Sequence, residues 1–351
     1  MGNALLSKRG GGYAKIKFED YFPHIIPTAL SVARDNLAAT TVGDYALFGG
    51  GHISGPTYYS TVDAYNSSLT RSTPTALSVA RDNLAATTVG SYALFGGGSS
   101  SGETYCSTVD AYTSSLTRST PTALNQKRED LAATTVGSYA LFGGGYGSTP
   151  IYCSTVDAYN SSLTRSTPTA LSVARNNLAA TTVGSYALFG GGHGFSSTST
   201  YYSTVDAYNS SLTRSTPTAL SQEREDLAAT TVGSYALFGG GSSSNFYSTV
   251  DAYNSSLTRS TPTALSVARE DLAATTVGNY ALFGGGSSYS STFTYYSTVD
   301  AYSSVVEATV YPGSKYKFQN MQSESTSNAY QILNIPVPAT GYVKIKNTTL
   351  S

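Results

Sequence analysis

The chain has 351 residues, a formal net charge of −1 and only 12% charged residues. This composition offers no basic surface, so a nucleic-acid partner is not expected. No stretch reaches the roughly 18 consecutive apolar residues that span a bilayer, so membrane insertion is not predicted. The N-terminus also lacks the apolar segment of a secretory signal, so signal-directed export is not predicted either.

The dominant feature of the sequence is a repeat. Ala-Leu-Phe-Gly-Gly-Gly begins at Ala46 and returns after 47, 47, 47, 49 and 45 residues, which makes six units. A period near 47 residues is typical of repeat architectures. Each unit contains four strand-like pieces, which in the second unit are Leu84–Val89, Tyr92–Phe95, Ser107–Tyr112 and Leu116–Leu124. Pro121 in the last piece suits an edge strand. Four antiparallel strands repeated six times predict an all-β, six-bladed β-propeller.

The order of residues within a unit resembles the kelch repeat: an apolar strand ending in a glycine doublet, an Asp-x-Tyr strand, then an Arg before the next small strand. The matching residues of the second unit are Gly96, Gly97, Tyr112 and Arg128. The resemblance extends from about Pro27 to Tyr302. Kelch repeats usually carry a Trp after the Tyr, whereas here a Ser stands seven residues on, as Ser72 follows Tyr65. The resemblance therefore implies propeller topology, with weaker packing between blades than the family usually has.

The repeat pattern divides the chain into three regions. Residues 23–304 are predicted to form the propeller, residues 305–351 a small C-terminal β-appendage, and residues 1–22 a segment that pairs with that appendage. The pairing rests on Gly341–Lys346, which echoes Gly11–Phe18. We expect the paired ends to dock the disc onto a larger assembly. For the fourth strand of the sixth blade we expect His24–Leu30, with Val305–Tyr311 as the alternative.

The sequence contains no pattern that predicts a cofactor, a metal site or catalysis. A strand follows each Gly-Gly-Gly, whereas a phosphate-binding loop requires a helix there. We therefore assign the glycines to close packing between blades. His52 and His193 belong to opposite units, and no Ser-His-Asp or HExxH arrangement is visible. Cys106 and Cys153 occupy equivalent places in neighbouring units, too far apart for a disulfide, so both are predicted to be free.

Variation among the units is concentrated in two segments. The first lies between Gly-Gly-Gly and Ser-Thr-Val, and its lengths are 8, 8, 8, 10, 6 and 10 residues. Steps of two keep each hairpin side chain on its original face. The second segment precedes the innermost strand, as Ser78–Asn83 does in the second unit. Because the strands alternate in direction, both segments are predicted to emerge on one face of the disc.

The aromatic and histidine side chains of this face are the first candidate ligand-binding residues: Tyr58, Tyr105, Tyr146, Tyr152, His193, Phe195, Tyr201, Phe246, Tyr289, Phe293 and Tyr295. Tyr, Ser and Gly together form adaptable contact surfaces, as in antibody loops. The last Tyr of each insert is expected only to end a strand. Drift of unconstrained loops is the alternative explanation of the variation.

Six arginines complete the candidate set: Arg34, Arg81, Arg128, Arg175, Arg224 and Arg269. In some kelch propellers the matching arginines meet acidic partners, so the resemblance implies a ligand role. We favour the alternative that adjacent acids, such as Asp35 and Glu129, neutralise them. A repeated Asp in the third strand is expected to accept hydrogen bonds rather than bind metal; its copies are Asp63, Asp110, Asp157, Asp206, Asp251 and Asp300.

A rigid ring with one varied face is typical of a recognition surface. We therefore expect a non-enzymatic module that binds a cell-surface glycan or protein. Near-identical repeats with diversified loops favour a structural protein of a bacteriophage virion or tail, which would become extracellular after lysis and contact other virion proteins through its termini. The alternatives are a cytoplasmic bacterial kelch scaffold and a carbohydrate-active enzyme with Glu103 as acid or base.

Overall fold

The structure is a computed structural model that describes residues 27–53, 57–101, 104–148, 151–195, 198–303, 305–308 and 343–346, the last two ranges as backbone only. It confirms the predicted all-β, six-bladed propeller arrangement. The described residues form strands, turns and bends without a helix. In particular, no helix among them is long and apolar enough to cross a membrane.

Each of the first five blades is a four-stranded antiparallel sheet whose strands follow chain order from the axis outwards. The inner strands are Ala38–Val42, Ala85–Val89, Ala132–Val136, Ala179–Val183, Ala228–Val232 and Ala273–Val277. The second strands are Tyr45–Gly49, Tyr92–Gly96, Tyr139–Gly143, Tyr186–Gly190, Tyr235–Gly239 and Tyr280–Gly284. The third strands are Val62–Tyr65, Val109–Thr113, Val156–Asn160, Val205–Asn209, Val250–Asn254 and Val299–Ser303. The outer strands are Arg71–Ser72, Arg118–Ser119, Arg165–Ser166, Arg214–Ser215 and Arg259–Ser260.

The outer strands are much shorter than the sequence pattern predicts. The predicted piece Leu116–Leu124 contains only two paired residues, Arg118 and Ser119. The turn before them extends to Leu116, which has a φ of +60° and cannot continue a strand. Pro121 follows closely and has no N–H to donate to a ladder. The outer strand is therefore limited on both sides by its own backbone.

Adjacent blades pack through an apolar junction that recurs five times. Between the second and third blades, Leu94 and Val109 on one side contact a cluster that includes Phe142 and Tyr159 on the other, and all four side chains are buried. A Cβ added to Gly96 would lie 2.9 Å from the Phe142 ring. The glycine is thus required by the close approach of the next blade, as the sequence predicted.

Hydrogen bonds also join the inner strands from blade to blade. Thr87 Oγ1 lies 3.0 Å from Thr135 Oγ1 of the next blade, and Thr135 Oγ1 donates to the Thr88 carbonyl at 2.6 Å. Near the axis the Asp130 N–H donates to the Asn83 carbonyl at 3.1 Å. These bonds satisfy polar groups that the crowding of small residues around the axis would otherwise bury unpaired.

The sixth blade differs from the other five because its sheet has three strands. The expected closing strand His24–Leu30 is not confirmed: residues 27–30 form no strand, Thr28 instead accepts a hydrogen bond from Tyr65 of the first blade, and residues 24–26 lie outside the described residues. The alternative, Val305–Tyr311, is not confirmed either: Val305–Ala308 pairs with Val343–Lys346 in a separate sheet, and residues 309–311 lie outside the described residues. That pair also differs from the expected pairing of Gly341–Lys346 with Gly11–Phe18, whose N-terminal partner lies outside the described residues.

Candidate functional site

The variable segments of each blade lie side by side at one end of the disc, which we call the loop face. The residue that follows each connection arginine forms a backbone bridge with the first residue of the insert. The bridges are Asp35 with His52, Asp82 with Ser99, Glu129 with Tyr146, Asn176 with His193, Glu225 with Ser242 and Glu270 with Ser287. Both kinds of variable segment are therefore gathered on one face, as the alternation of strand direction predicted.

The inserts are mostly short hairpins that extend from this face. Their paired strands are His52–Ile53 with Thr57–Tyr58, Ser99–Ser100 with Thr104–Tyr105, His193–Phe195 with Ser199–Tyr201 and Ser287–Tyr289 with Phe293–Tyr295. The last residue of each insert returns to the core: the Cys106 N–H, for example, donates to the Gly98 carbonyl at 2.8 Å. The sequence analysis expected the last Tyr of each insert only to end a strand, but Tyr105 and Tyr152, the last Tyr of the second and third inserts, also contact a neighbouring aromatic ring.

Five of the predicted aromatic and histidine residues form a continuous row across the second, third and fourth blades. We call this row the aromatic strip; its members in spatial order are Tyr105, Tyr146, Tyr152, His193 and Tyr201. Successive ring centroids are 5.8, 5.3, 5.5 and 5.3 Å apart. All five side chains are half-buried, so each ring keeps part of its surface open to solvent. The strip is a preformed aromatic surface made by three separate inserts.

The other predicted aromatic residues lie apart from this strip. Tyr58 stacks on His52 in the first blade, with centroids 6.0 Å apart. Phe293 contacts both Tyr289 and Tyr295 in the sixth blade, and all three are exposed. Phe195 is exposed and Phe246 half-buried, and neither has a described ring contact. The structure therefore supports one extended aromatic surface and smaller separate groups.

The connection arginines occupy the interior of the blade junctions. Arg81, Arg128, Arg175, Arg224 and Arg269 are fully buried, and the Arg34 side chain is also inaccessible. A ligand on the loop face cannot contact these side chains, so the ligand role implied by the kelch resemblance is not supported. The expected neutralisation by adjacent acids is wrong too. Each arginine pairs instead with the third-strand Asp of the following blade, as Arg128 Nη2 does with Asp157 Oδ2 at 2.8 Å.

The repeated third-strand Asp therefore links three chain segments. Asp157 accepts hydrogen bonds from Arg128, from Arg165 Nη1 at 2.8 Å and from the Asn125 N–H at 3.0 Å. The prediction that these Asp residues accept turn and inter-blade hydrogen bonds is confirmed. In the first blade, bonds of this kind from Arg71, Ser31 and Arg34 lower the pKa of Asp63 although burial alone would raise it.

A pocket of about 320 Å³ opens on the axis of the loop face, and the sequence analysis did not anticipate it. Its rim is formed by one residue from each blade, which we call the axial rim: Asn36, Asn83, Asp130, Asn177, Asp226 and Asp271. All six have φ values of +48 to +53°. Asn and Asp tolerate this left-handed conformation better than other side chains except glycine. The left-handed backbone therefore explains why these positions are Asn or Asp, and the sixfold arrangement of blades places the six side chains around one axis.

The axial rim and its surroundings are acidic. Burial and the neighbouring Glu129 raise the pKa of Asp130 to about 7. Burial, Glu225 and Asp271 raise the pKa of Asp226 to about 8. Burial, with Glu225 contributing, also raises the pKa of the Tyr201 hydroxyl in the aromatic strip. Among the axial rim residues, Asp226 also contributes to the raised pKa of Tyr201.

The two cysteines are both buried and neither forms a disulfide, as the sequence analysis predicted. His52 lies 3.1 Å from Asp35 and 3.0 Å from Asp82, whereas His193 belongs to the aromatic strip. Among the residues that the structure describes, no group of three His, Cys, Asp or Glu side chains is arranged to hold a metal ion.

Fold and site together define a β-propeller with a variable loop face that carries an aromatic strip and an acidic axial rim. No described protein family matches the chain. No curated protein matches it either.

Proposed function

We propose that this protein is a non-enzymatic recognition module that binds a cell-surface glycan or protein through its loop face. The observation that carries the proposal is the aromatic strip, because five rings from three inserts form one surface on a rigid scaffold. Aromatic rings supply large contact areas at low entropic cost, and binding surfaces are enriched in Tyr for that reason.

The chemistry around the strip favours the glycan. In this proposal the apolar face of a sugar lies on the rings, and its hydroxyls donate to nearby carboxylates, which are strong hydrogen-bond acceptors. An acidic rim next to aromatic rings would also attract a cationic group. Conversely, an anionic polymer would be repelled by Glu129, Glu225 and Glu270, so neutral or amine-bearing glycans are the expected class.

The resemblance to kelch repeats and the near-identity of the units favour a structural component of a bacteriophage virion or tail. In that setting the loop face would contact the host envelope and the terminal segments would contact other virion proteins. Mass spectrometry of purified virions tests this setting. Recovery from the cytosol in a complex with a second bacterial protein would favour the kelch scaffold instead.

The binding test uses a substitution that the chain itself supplies. The first insert residue is Tyr146 in the third blade and His193 in the fourth, whereas it is Ser in three other blades. The double substitution Tyr146→Ser and His193→Ser therefore removes the centre of the strip and keeps a residue type that the backbone position accepts. We expect at least a tenfold loss of binding on a glycan array or to isolated cell envelopes, with an unchanged melting temperature.

His52→Ser is the matched control, because His52 holds the same position in the first blade and lies outside the strip. It should bind as the parent does. Equal losses in both variants would refute a role for the aromatic strip in particular. Loss of envelope-protein capture without any glycan signal would identify the protein partner as the correct one.

The raised pKa values of Asp130 and Asp226 favour one further candidate, a carbohydrate-active enzyme with a rim carboxyl as general acid. The left-handed backbone explains Asp at this position without catalysis, and three blades carry Asn there. Release of labelled sugar from a polysaccharide by the parent, abolished in Asp226→Asn, would establish the enzyme. Binding without turnover supports the recognition module.

A further inference from the structure

The first and the sixth blade each have one apolar face that is not covered by a neighbouring blade among the described residues. On the sixth blade Val277 and Val299 are 54% and 60% exposed, whereas their equivalents in the fifth blade, Val232 and Val250, are 4% and 0% exposed. On the first blade Phe48 is half-buried, whereas Phe95 at the same repeat position is fully buried. These residues are the two halves of the junction that recurs between the other blades.

The glycines show that nothing described lies between these faces. A Cβ added to Gly239 in the fifth blade would lie 2.9 Å from a Phe ring of the next blade, whereas at Gly284 in the sixth blade only Val299 of the same blade comes near. Gly278 is the turn glycine of the sixth blade, and a Cβ added to it would have no other atom within 4 Å. The equivalent Gly43 faces Ser114 of the second blade at 2.9 Å.

The junction hydrogen bonds stop at the same place. At the second-to-third junction, the Arg128 N–H donates to the Cys106 carbonyl and the Gly98 N–H to the Arg128 carbonyl. Among the described residues, the counterparts Arg34 and Gly286 make no such bond between the first and sixth blades. Among the described residues there is likewise no hydrogen bond between the Thr275 and Thr41 hydroxyls, the pair that would meet in a closed ring.

We call the space beside these two uncovered faces the gap. Both ends of the described propeller belong to the blades that carry the two faces. The chain enters the first blade at residue 27 and leaves the third strand of the sixth blade at Ser303. The stretch 305–351 is as long as one 47-residue repeat, and 26 further residues precede the first blade. The pair of Val305–Ala308 with Val343–Lys346 begins directly after the sixth blade and forms a sheet of its own instead of a fourth strand of that blade.

We propose that the terminal segments, residues 1–26 and 305–351, occupy the gap and complete the ring by covering both apolar faces. A second copy of the chain fits the gap poorly, because a first blade docked on Val299 would bring five more blades into the space of the same disc. Direct contact of the first blade with the sixth requires all five junctions to widen together, although their threonine contacts agree to within 2.9–3.1 Å.

Site-specific photo-crosslinking in the full-length chain tests the proposal. A diazirine amino acid at Val299 reports what covers the sixth blade, and the same residue at Val109 is the control, since it should crosslink to the third blade. Peptide mapping should find crosslinks from Val299 to residues 1–26 or 305–351 of the same molecule. Crosslinks to the first blade, crosslinks between isotopically distinct molecules, or reaction with solvent alone would each overturn the proposal.

Engineered disulfides give an independent measurement of the gap. Thr40→Cys with Thr88→Cys joins two blades whose threonine oxygens are 3.1 Å apart, so this pair should oxidise readily. Thr41→Cys with Thr275→Cys occupies the same positions across the gap. We expect this second pair to stay at least tenfold slower to oxidise than the first. Equal rates would mean that the ring closes on itself without the termini.

Discussion

The substitution Asp157→Asn is the most direct test of the interactions that hold neighbouring blades together. Asp157 is fully buried and pairs with Arg128 of the preceding connection, whose side chain is also fully buried. Among the described residues, the Arg128 Nε and Nη1 atoms have no hydrogen-bond partner. Asp157 is therefore the only described counter-charge for this guanidinium. Its neutralisation leaves a buried, unpaired cation.

The expected cost follows from that burial. Removing one partner of a buried ion pair typically costs about 3–5 kcal/mol. Arg165 donates to the same carboxylate at 2.8 Å but is 22% exposed, so Arg165→Met should cost at most about 1 kcal/mol. Arg128→Met should fall between the two, because Asp157 would keep Arg165 and the Asn125 N–H as partners.

Urea unfolding followed by tyrosine fluorescence is a suitable assay, since the chain has 29 Tyr and no Trp. With a slope of about 3 kcal/mol/M, the loss of about 3–5 kcal/mol in Asp157→Asn corresponds to a midpoint about 1–1.7 M lower. Hydrogen exchange should place the loss at the junction of the second and third blades. The reasoning is refuted if Asp157→Asn is no more destabilising than Arg165→Met.

Two other predictions follow from the burial of titratable groups. The pKa of Asp226 is about 8 in the folded chain and near 4 when unfolded, so the folded state binds the extra proton and stability should fall as pH rises from about 4 to about 8. Asp226→Asn, which introduces the residue found at Asn177, should flatten that decline and raise the urea midpoint at pH 9; an unchanged slope would contradict the assignment. Cys106 and Cys153 are buried, and burial raises the pKa of Cys153, so both thiols should react with a thiol reagent only after unfolding. Rapid labelling of the native chain would show that the junctions open.

The sequence was sufficient for the architecture because its information is periodic. Strand order, blade number and the shared face of the inserts all follow from the spacing of Ala-Leu-Phe-Gly-Gly-Gly and from the alternation of strand direction. The extent of the outer strands did not follow, because the left-handed conformation of Leu116 is unusual for that residue type.

The candidate site was predictable only in part. The inserts indicated Tyr105, Tyr146 and His193 as candidates, but their arrangement in one strip depends on the distances between neighbouring blades. The axial rim was missed because its residues are separated by a full repeat and meet only around the axis. A signal existed: one position before the inner Leu is always Asn or Asp.

The burial of the connection arginines also had a sequence signal. Each is invariant among the six units, whereas the next residue changes between Asp, Glu and Asn. A residue that stays constant inside a variable segment is expected to be kept by packing rather than by contact with a changing ligand. The positive charge of these arginines alone suggested a surface position. The buried carboxylate that neutralises Arg128 belongs to Asp157, 29 residues further along the chain.

The uniformity of the junctions means that no blade is matched to a particular neighbour. The side chains that meet between the second and third blades are the same ones that meet between the fourth and fifth. Deleting or duplicating one whole 47-residue repeat would therefore leave junctions made by the same side chains on either side of the change. Insert sequences could be reordered, gained or lost by recombination between the repeats, while the scaffold that presents them keeps the same contacts.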